Sequence, residues 1–386
     1  MVGYKSFVSR FTLIACVLLC VGAHANGDEL FENSEGSPIF SLIQSARQSI
    51  QLEIYTMTDS RVKQEIRNAV DRGVKVDVIE ESSPVGATCK VFQAAKATDT
   101  SECSAEKSLL AYVKSHGGSY VPFPKSLCGN PDSKCFQHGK MALIDQTTAV
   151  LGTGNMDSTS LCDATDSPSS CDRDFTVTTT DASILKSLST VFNNDLQAAS
   201  TSNLANLNSR LTISPDSMNP IIEFISSAKT SLLVENQYLE DPTMNAAIIA
   251  DAKRGVKVTV LVSSACSFGT PTPSAVKKWN KNFAALDSAG IKTWIFTGRI
   301  RVGGQAGYLH AKTMVADGAR AWVGSINGST TSLTNNREYG IFMNDAASVA
   351  KLKASIQADA SNPLGESWQD SIQCKYDKVI IGNIYE

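Results

Sequence analysis

A histidine and a lysine two positions apart, an aspartate five residues on, and a glycine-rich turn closing on an asparagine make up residues 137 to 155, QHGKMALIDQTTAVLGTGN: His138, Lys140, Asp145, Gly152, Thr153 and Asn155. Residues 308 to 327, YLHAKTMVADGARAWVGSIN, repeat the set at identical spacing as His310, Lys312, Asp317, Gly324, Ser325 and Asn327. Each stretch reads as two short apolar strands around a polar turn, hence a hairpin. Side chains two apart on a strand share a face, so His138 and Lys140 project together, and Thr153 and Asn155 are expected to reach the same side from the neighbouring strand. Imidazole, ammonium, hydroxyl and amide in one cluster suit a tetrahedral anion, with lysine supplying charge and the others directed hydrogen bonds to developing charge. Two such clusters facing each other would put two imidazoles on opposite sides of one phosphorus, which an in-line displacement requires.

The odd offset of five turns Asp145 and Asp317 away from that face, and both are expected to brace the hairpin turns. The elements that must carry the motifs are duplicated as well. SPIFSLIQSARQSIQLEIYTMTDS from Ser37 matches NPIIEFISSAKTSLLVENQYLEDP from Asn219, and AVDRGVKVDVIEES from Ala69 matches DAKRGVKVTVLVSS from Asp251, both at an offset of 182 residues. At the motifs the offset falls to 172. Each copy reads as an apolar-faced helix, a strand, a second helix and a β-branched strand. Alternation of this kind implies an α/β layered sandwich, here two pseudo-symmetric α-β-α halves with the site at their interface. The Ser- and Asn-rich stretch around residues 195 to 217 places the boundary near Asn208, giving halves of 26–208 and 209–386; the first part of that stretch could instead continue a helix.

The doubled His-x-Lys-x4-Asp pattern followed by Gly-Ser/Thr-x-Asn resembles the phospholipase D superfamily, and with the repeats the resemblance covers nearly all of the chain after residue 25, in the manner of exported bacterial phospholipase D-like and cardiolipin synthase-like proteins. It implies a two-step phosphodiester exchange. One histidine, taken as His138, attacks phosphorus; the other, His310, protonates the departing alkoxide. Lys140, Lys312, Asn155 and Asn327 would hold the phosphoryl oxygens, and no metal or other cofactor is called for. Members of the superfamily also carry an acidic residue downstream of each motif that orients a histidine. Glu338 in NNREYGIF fits that place, and Asp174 in CDRDFTV is its counterpart, displaced by an insertion that Cys162 and Cys171 would staple.

Residues 1 to 25, with Lys5 and Arg10 ahead of FTLIACVLLCVGA and Ala23-His24-Ala25 at the end, resemble a cleaved secretory signal. The apolar run is shorter than the roughly 20 residues of a spanning anchor, and a lipoprotein cleavage at Cys16 ranks below both. Secretion or periplasmic residence follows as an expectation. The eight cysteines beyond it read as disulfides, with Cys128–Cys135 and Cys162–Cys171 suggested by proximity. A zinc site is the rival, weakened by the absence of any Cys-x-x-Cys pair.

Substrate is less sharply indicated. A net charge of −3 and pI near 5.9 argue against a protein that lives by clinging to nucleic acid. LLVENQYL at 232 to 239 resembles a strand of the phospholipid-cleaving branch, so a phospholipid or membrane surface is the favoured substrate, with water or an alcohol as acceptor. A metal-independent endonuclease is the alternative, for which Lys125, Lys134, Arg299 and Arg301 could flank a phosphate backbone. A catalytically silent binding protein is the third, disfavoured because all eight polar positions are present. His116 reads as an exposed loop residue, KKWNK at 277 to 281 as a solvated helix face, and GGQAG at 303 to 307 as a flexible loop. Asn327 also begins an N-glycosylation sequon, which a folded context would have to hide.

Overall fold

A computed structural model describes residues 27–85, 89–162, 171–268, 271–296, 300–302 and 305–374. The expected leader, Arg299 and the side chain of Arg301 lie outside the described residues. In chain order the first half contains β1 (Glu29–Glu32), α1 (Ile39–Ser45), β2 (Ser49–Ile54), α2 (Ser60–Asp71), β3 (Lys75–Glu80), α3 (Ser101–Ser115), β4 (Ser119–Pro122), β5 (Lys140–Ile144), β6 (Thr148–Gly152), β7 (Phe175–Thr179) and α4 (Ala182–Leu196). The second half begins with β8 (Leu211–Ser214), α5 (Met218–Ser226), β9 (Ser231–Asn236), α6 (Pro242–Lys253), β10 (Lys257–Ser263), α7 (Pro273–Ser288) and β11 (Lys292–Phe296). It continues with β12 (Ile300–Val302), β13 (Gln305–Gly307), β14 (Lys312–Ala316), β15 (Arg320–Gly324), α8 (Thr330–Thr334), β16 (Glu338–Met343), α9 (Ala346–Ala360) and α10 (Trp368–Ser371).

Each half builds one mixed seven-stranded sheet, ordered β1-β7-β6-β5-β2-β3-β4 and β11-β10-β9-β14-β15-β16-β8. Read from opposite ends, the two orders are equivalent strand for strand. The duplicated sequence therefore folds twice into the same topology.

Local chemistry sets the element ends. Asp59 and Asp241 each accept two main-chain N–H groups at the N-termini of α2 and α6, and Asp181 and Asp345 cap α4 and α9. In both RGVKV segments the glycine, Gly73 or Gly255, has a positive φ (84° and 91°) that ends the helix and turns the chain into the next strand. α2 buries Val62, Ile66, Ala69 and Val70 along one stripe.

Three apolar clusters fill the layers. One lies outside the first sheet beneath α1, α2 and α3, and another outside the second sheet beneath α5, α6 and α7. The third is shared: Phe175 and Val177 of β7, Val323 of β15 and Ile341 of β16 meet Leu188 and Phe192 of α4 and Leu352 and Ile356 of α9 between the sheets. Neither half closes its own core.

The motif hairpins form as expected, β5 against β6 and β14 against β15, both antiparallel. At their tips Asp145 and Gln146 (φ 51° and 56°), and Asp317 and Gly318 (57° and 63°), take the left-handed conformation that matches the twist of a tight hairpin. The Asp145 carboxylate accepts from the main-chain N–H groups of Arg47, Gln48 and Ser49, and Asp317 from those of Lys229, Thr230 and Ser231. Slight burial pushes the Asp317 carboxyl up, but the three donors outweigh it and hold the pKa at about 2, below the ordinary 3.8. A depressed carboxyl stabilises the fold above its unfolded pKa, and the contribution disappears as pH falls towards 2. Asp317→Ala should accordingly cost about 1–3 kcal/mol at neutral pH, measured by urea unfolding, and the deficit should vanish in strong acid.

Among the described residues four disulfides are present: Cys89–Cys103, Cys128–Cys135, Cys162–Cys171 and Cys266–Cys374. The two short pairs are those suggested by spacing. GGQAG departs from its expected loop: residues 305–307 pair with β12 as a two-stranded ribbon, and Gly307 lies so close to the Cys171 carbonyl that no side chain would fit. KKWNK is on α7, where Lys278 is exposed but bonds Glu240 (2.6 Å), and Trp279 Nε1 donates to the same carboxylate (3.1 Å). His116 is exposed at the C-terminus of α3.

Candidate active site

The halves exchange partners at the site. His138 Nδ1 lies 2.9 Å from Glu338 Oε2 at the start of β16, and His310 Nδ1 lies 2.9 Å from Asp174 Oδ1 just before β7. Each histidine is therefore oriented by the carboxylate of the other half. The main chain crosses in the same way. His138 N donates to Arg337 O (2.9 Å) and Arg337 N to Phe136 O (2.9 Å), while His310 N donates to Arg173 O (3.2 Å) and Arg173 N to Tyr308 O (2.6 Å). A carboxylate only accepts, so Nδ1 of each ring carries the proton and Nε2 is the atom left for chemistry.

Lys140 Nζ donates to His138 O (2.7 Å) and Lys312 Nζ to His310 O (2.5 Å), folding each ammonium back beneath its own histidine. Lys312 also lies 3.4 Å from Thr153 O of the other half. Asn155 and Asn327 are buried, and their side-chain carbonyl oxygens have no hydrogen-bond partner among the described residues. Turning either amide about its last bond would present Nδ2, a donor, in place of the unpartnered oxygen.

Thr153 and Ser325 are where expectation and structure differ. β6 and β15 end at Gly152 and Gly324, so strand alternation stops before these hydroxyls. Thr153 Oγ1 donates to Asp174 Oδ1 (2.6 Å) and accepts from Phe175 N (2.9 Å); Ser325 Oγ donates to Tyr339 O (3.3 Å) and accepts from Tyr339 N (3.1 Å). Both hydroxyls are committed inside the protein and are not turned towards a substrate. Gly154 is required here, because a Cβ would come within 2.7 Å of the Asp174 carboxyl.

Burial pushes the His138 imidazole below its ordinary 6.5; Glu338 opposes this, and Lys140 and Lys312 add to it. Burial pushes the Asp174 carboxyl up, but His310 and Lys312 overcome it and hold it low; His138, Lys140 and Asn336 do the same for Glu338. Both carboxylates are thus charged and His138 neutral at neutral pH.

The family described as "cardiolipin synthase, PLD-like domain", where PLD is phospholipase D, matches residues 39–196 and 221–360, both halves with both motifs. The chain belongs to this phospholipase D-like family. It is 31% identical over 139 residues to a probable cardiolipin synthase of Bacillus subtilis, YwiE, a match covering 36% of this chain and 25% of that one. A cardiolipin synthase of Clostridium perfringens is 31% identical over 133 residues, 33% of this chain and 25% of that one. The chain spans about a quarter of the length of these relatives. In fold it is similar to a phosphatidylserine synthase of Haemophilus influenzae, with a TM-score of 0.63, 13% identity and coverage of 89% and 88% of the two chains.

Behind the phospholipase D-like site stands a second crossed arrangement that sequence reasoning missed. Arg337 bonds Asp195 of α4 through Nε (2.7 Å) and Nη2 (3.1 Å), and donates to Ser214 O (2.7 Å). Arg173 forms an ion pair with Asp359 of α9, its Nε 2.7 Å from the carboxylate, donates to it from Nη2 (2.8 Å), and donates to Glu32 from Nη1 (2.9 Å). Each arginine sits one residue before an orienting carboxylate and grips a helix of the other half. Glu53 lies against Asp195, and Glu235 against Asp359, all four buried. Burial, with the neighbouring carboxylate adding to it, pushes Glu53 and Glu235 well up, so each pair presents one negative charge to one guanidinium. The legible signal was the repeated Arg–acid dipeptide in CDRDF and NNREYG, which carried no hint of a distant partner.

An open cleft of about 320 Å³ reaches the site, lined by His138, Asn327, Tyr55, Phe136, Lys134 and Tyr238 among others. Asn327, a lining residue of this cleft, is 5% exposed, so its sequon is covered in the folded protein.

Proposed function

We propose that this chain is a phospholipase D-type enzyme that hydrolyses phospholipids, or transfers their phosphatidyl group, through a phosphohistidine on His138. The crossed His138–Glu338 and His310–Asp174 pairs support it, because they leave both Nε2 atoms to act on one phosphoryl group in a site made by the two halves. In the first step His138 Nε2 attacks phosphorus, the P–O ester bond breaks, and the departing alkoxide takes the proton from His310 Nε2. In the second, water or an alcohol gives its proton to His310, its oxygen attacks phosphorus, and the P–N bond breaks. Lys140, Lys312, Asn155 and Asn327 stabilise the charge that develops on the phosphoryl oxygens.

Phospholipid as substrate is supported by the match to proteins named cardiolipin synthases. Export is supported by the four disulfides, which persist in oxidising compartments. No helix among the described residues is long and apolar enough to cross a membrane.

The test is a paired assay of residues 26–386 on mixed phospholipid vesicles and on single- and double-stranded DNA and RNA, with His138→Ala alongside. Headgroup release or exchange that survives EDTA and is absent in the variant is expected. Cleaved nucleic acid beside intact lipid would make the chain a nuclease on this scaffold, and loss in EDTA restored by zinc would overturn the metal-free chemistry.

A further inference from the structure

The two orienting carboxylates differ in what stands two residues before them. Asp172-Arg173-Asp174 and Asn336-Arg337-Glu338 occupy equivalent places in the repeat, with an acid in one and an amide in the other. Asn336 Oδ1 accepts from Phe136 N (2.9 Å), which turns its Nδ2 to donate to Glu338 Oε1 (2.9 Å). Glu338 thus has a partner on each oxygen, Asn336 on one and His138 on the other. Asp174 is served differently. Its Oδ1 takes both His310 Nδ1 (2.9 Å) and the Thr153 hydroxyl (2.6 Å), and its Oδ2 has no hydrogen-bond partner among the described residues.

Asp172 is buried, and the contacts around it show where its proton is. Thr159 Oγ1 lies 2.7 Å from Asp172 Oδ2 and 2.9 Å from Asp157 Oδ1, two carboxyl oxygens for one hydroxyl hydrogen. Asp157 Oδ1 also accepts the main-chain N–H groups of Thr159 (3.1 Å) and Ser160 (2.8 Å), so it is an acceptor, and the hydrogen in the shorter contact belongs to Asp172. Burial pushes the Asp172 carboxyl well above its ordinary 3.8; Asp174 and Asp157 add to this, and His310 opposes it. With Lys312, which acts on Asp174, these are the charged and titratable groups that face the pair among the described residues.

We propose that Asp172 is a positioning residue for the proton of the reaction, a second, ionisable carboxyl behind His310 that makes His310 and not His138 the histidine that takes up and returns that proton. The assignment rests on the two-histidine mechanism proposed above. A proton arriving on His310 favours loss of the proton from Asp172, and the Asp172 anion in turn holds the proton on His310. The way out is short: Asp172 gives its proton to Thr159 Oγ1, which passes its own to the half-exposed Asp157. Behind His138 the equivalent residue is an amide, which cannot ionise and engages part of the Glu338 charge. His138 is left neutral for attack.

A ¹⁵N NMR titration of the imidazole rings in the resting protein, with exposed His116 as internal reference, reads the assignment without turnover and so separately from the mechanism. In the wild type His310 should keep its charge to higher pH than His138. Asp172→Asn, which keeps the shape and the contact with Thr159 but cannot ionise, should lower the proton affinity of His310 about three- to tenfold and leave His138 unmoved. With an alkyl phosphodiester, whose alkoxide needs the proton, the alkaline limb of kcat/KM should move down with it. Asn336→Asp should act on His138 instead, raising its midpoint and moving the acid limb of kcat/KM up. A His310 midpoint that stays in place in Asp172→Asn would overturn the role, and so would equal shifts at both rings, the mark of a general loosening.

Discussion

His310→Ala should stop the reaction half-way. With a nitrophenyl phosphodiester the leaving group departs without a proton, so attack by His138 still releases one equivalent of nitrophenolate. The second step then lacks its base, and the phosphoryl group, still bearing its remaining ester, should stay on His138 as an acid-labile adduct, with steady turnover down on the order of 10³- to 10⁴-fold. His138→Ala should show neither burst nor adduct. The roles are those the family resemblance implies, and they agree with an asymmetry in the site: His138 lines the cleft and is 6% exposed, whereas His310 is 1% exposed. An adduct in His138→Ala and none in His310→Ala would exchange the two roles, and full turnover in both would remove the mechanism. Because removing His310 leaves Asp174 unpaired in the interior, His310→Gln should be run in parallel to separate lost chemistry from lost fold. In the wild type, kcat/KM should rise with pH as His138 loses its proton, and the midpoint should lie below 6.5 because burial and the two lysines disfavour the charged ring.

Arg337→Met should produce the second largest effect, on stability and on catalysis together. It removes a guanidinium that bonds Asp195 twice and leaves the Asp195–Glu53 pair buried without a cation, which costs about 3–5 kcal/mol. Urea unfolding reads that loss. The catalytic part comes from position: the Arg337 main chain holds residues 136 and 138, and its neighbour Glu338 holds the His138 ring. Arg337→Lys, which keeps charge but not the planar fork, should recover part of the stability and less of kcat. Asp195→Asn should resemble Arg337→Met, whereas Glu53→Gln, which replaces the carboxyl that burial and the neighbouring Asp195 push well up, should be mild. Equal penalties for Glu53→Gln and Asp195→Asn would contradict the assignment of one negative charge to the pair, carried by Asp195.

The repeated motif made much of this legible. His138 and Lys140, His310 and Lys312 are two apart, and a spacing of two survives into three dimensions wherever the chain is extended. Asp145 and Asp317 were separable from the site because the same periodicity turns an odd offset away. Periodicity says less about Thr153 and Ser325, because the strands stop at Gly152 and Gly324, one residue short of them. The crossing of partners left no mark in sequence, since Asp174 and Glu338 each follow their own motif and nothing local says that the histidine they serve is in the other half. The Arg173–Asp359 and Arg337–Asp195 ties were hidden for the same reason, as their ends are 186 and 142 residues apart.

That crossing makes activity a property of assembly. If the chain is cut between α4 and β8, each fragment keeps one motif histidine but loses the carboxylate that aims it, and each exposes its side of the shared apolar cluster. Two fragments produced separately should be silent, and turnover after mixing should rise with the product of their concentrations until the halves are saturated with each other. The molecule therefore contains its own complementation reporter, in which phosphodiester cleavage counts docked halves.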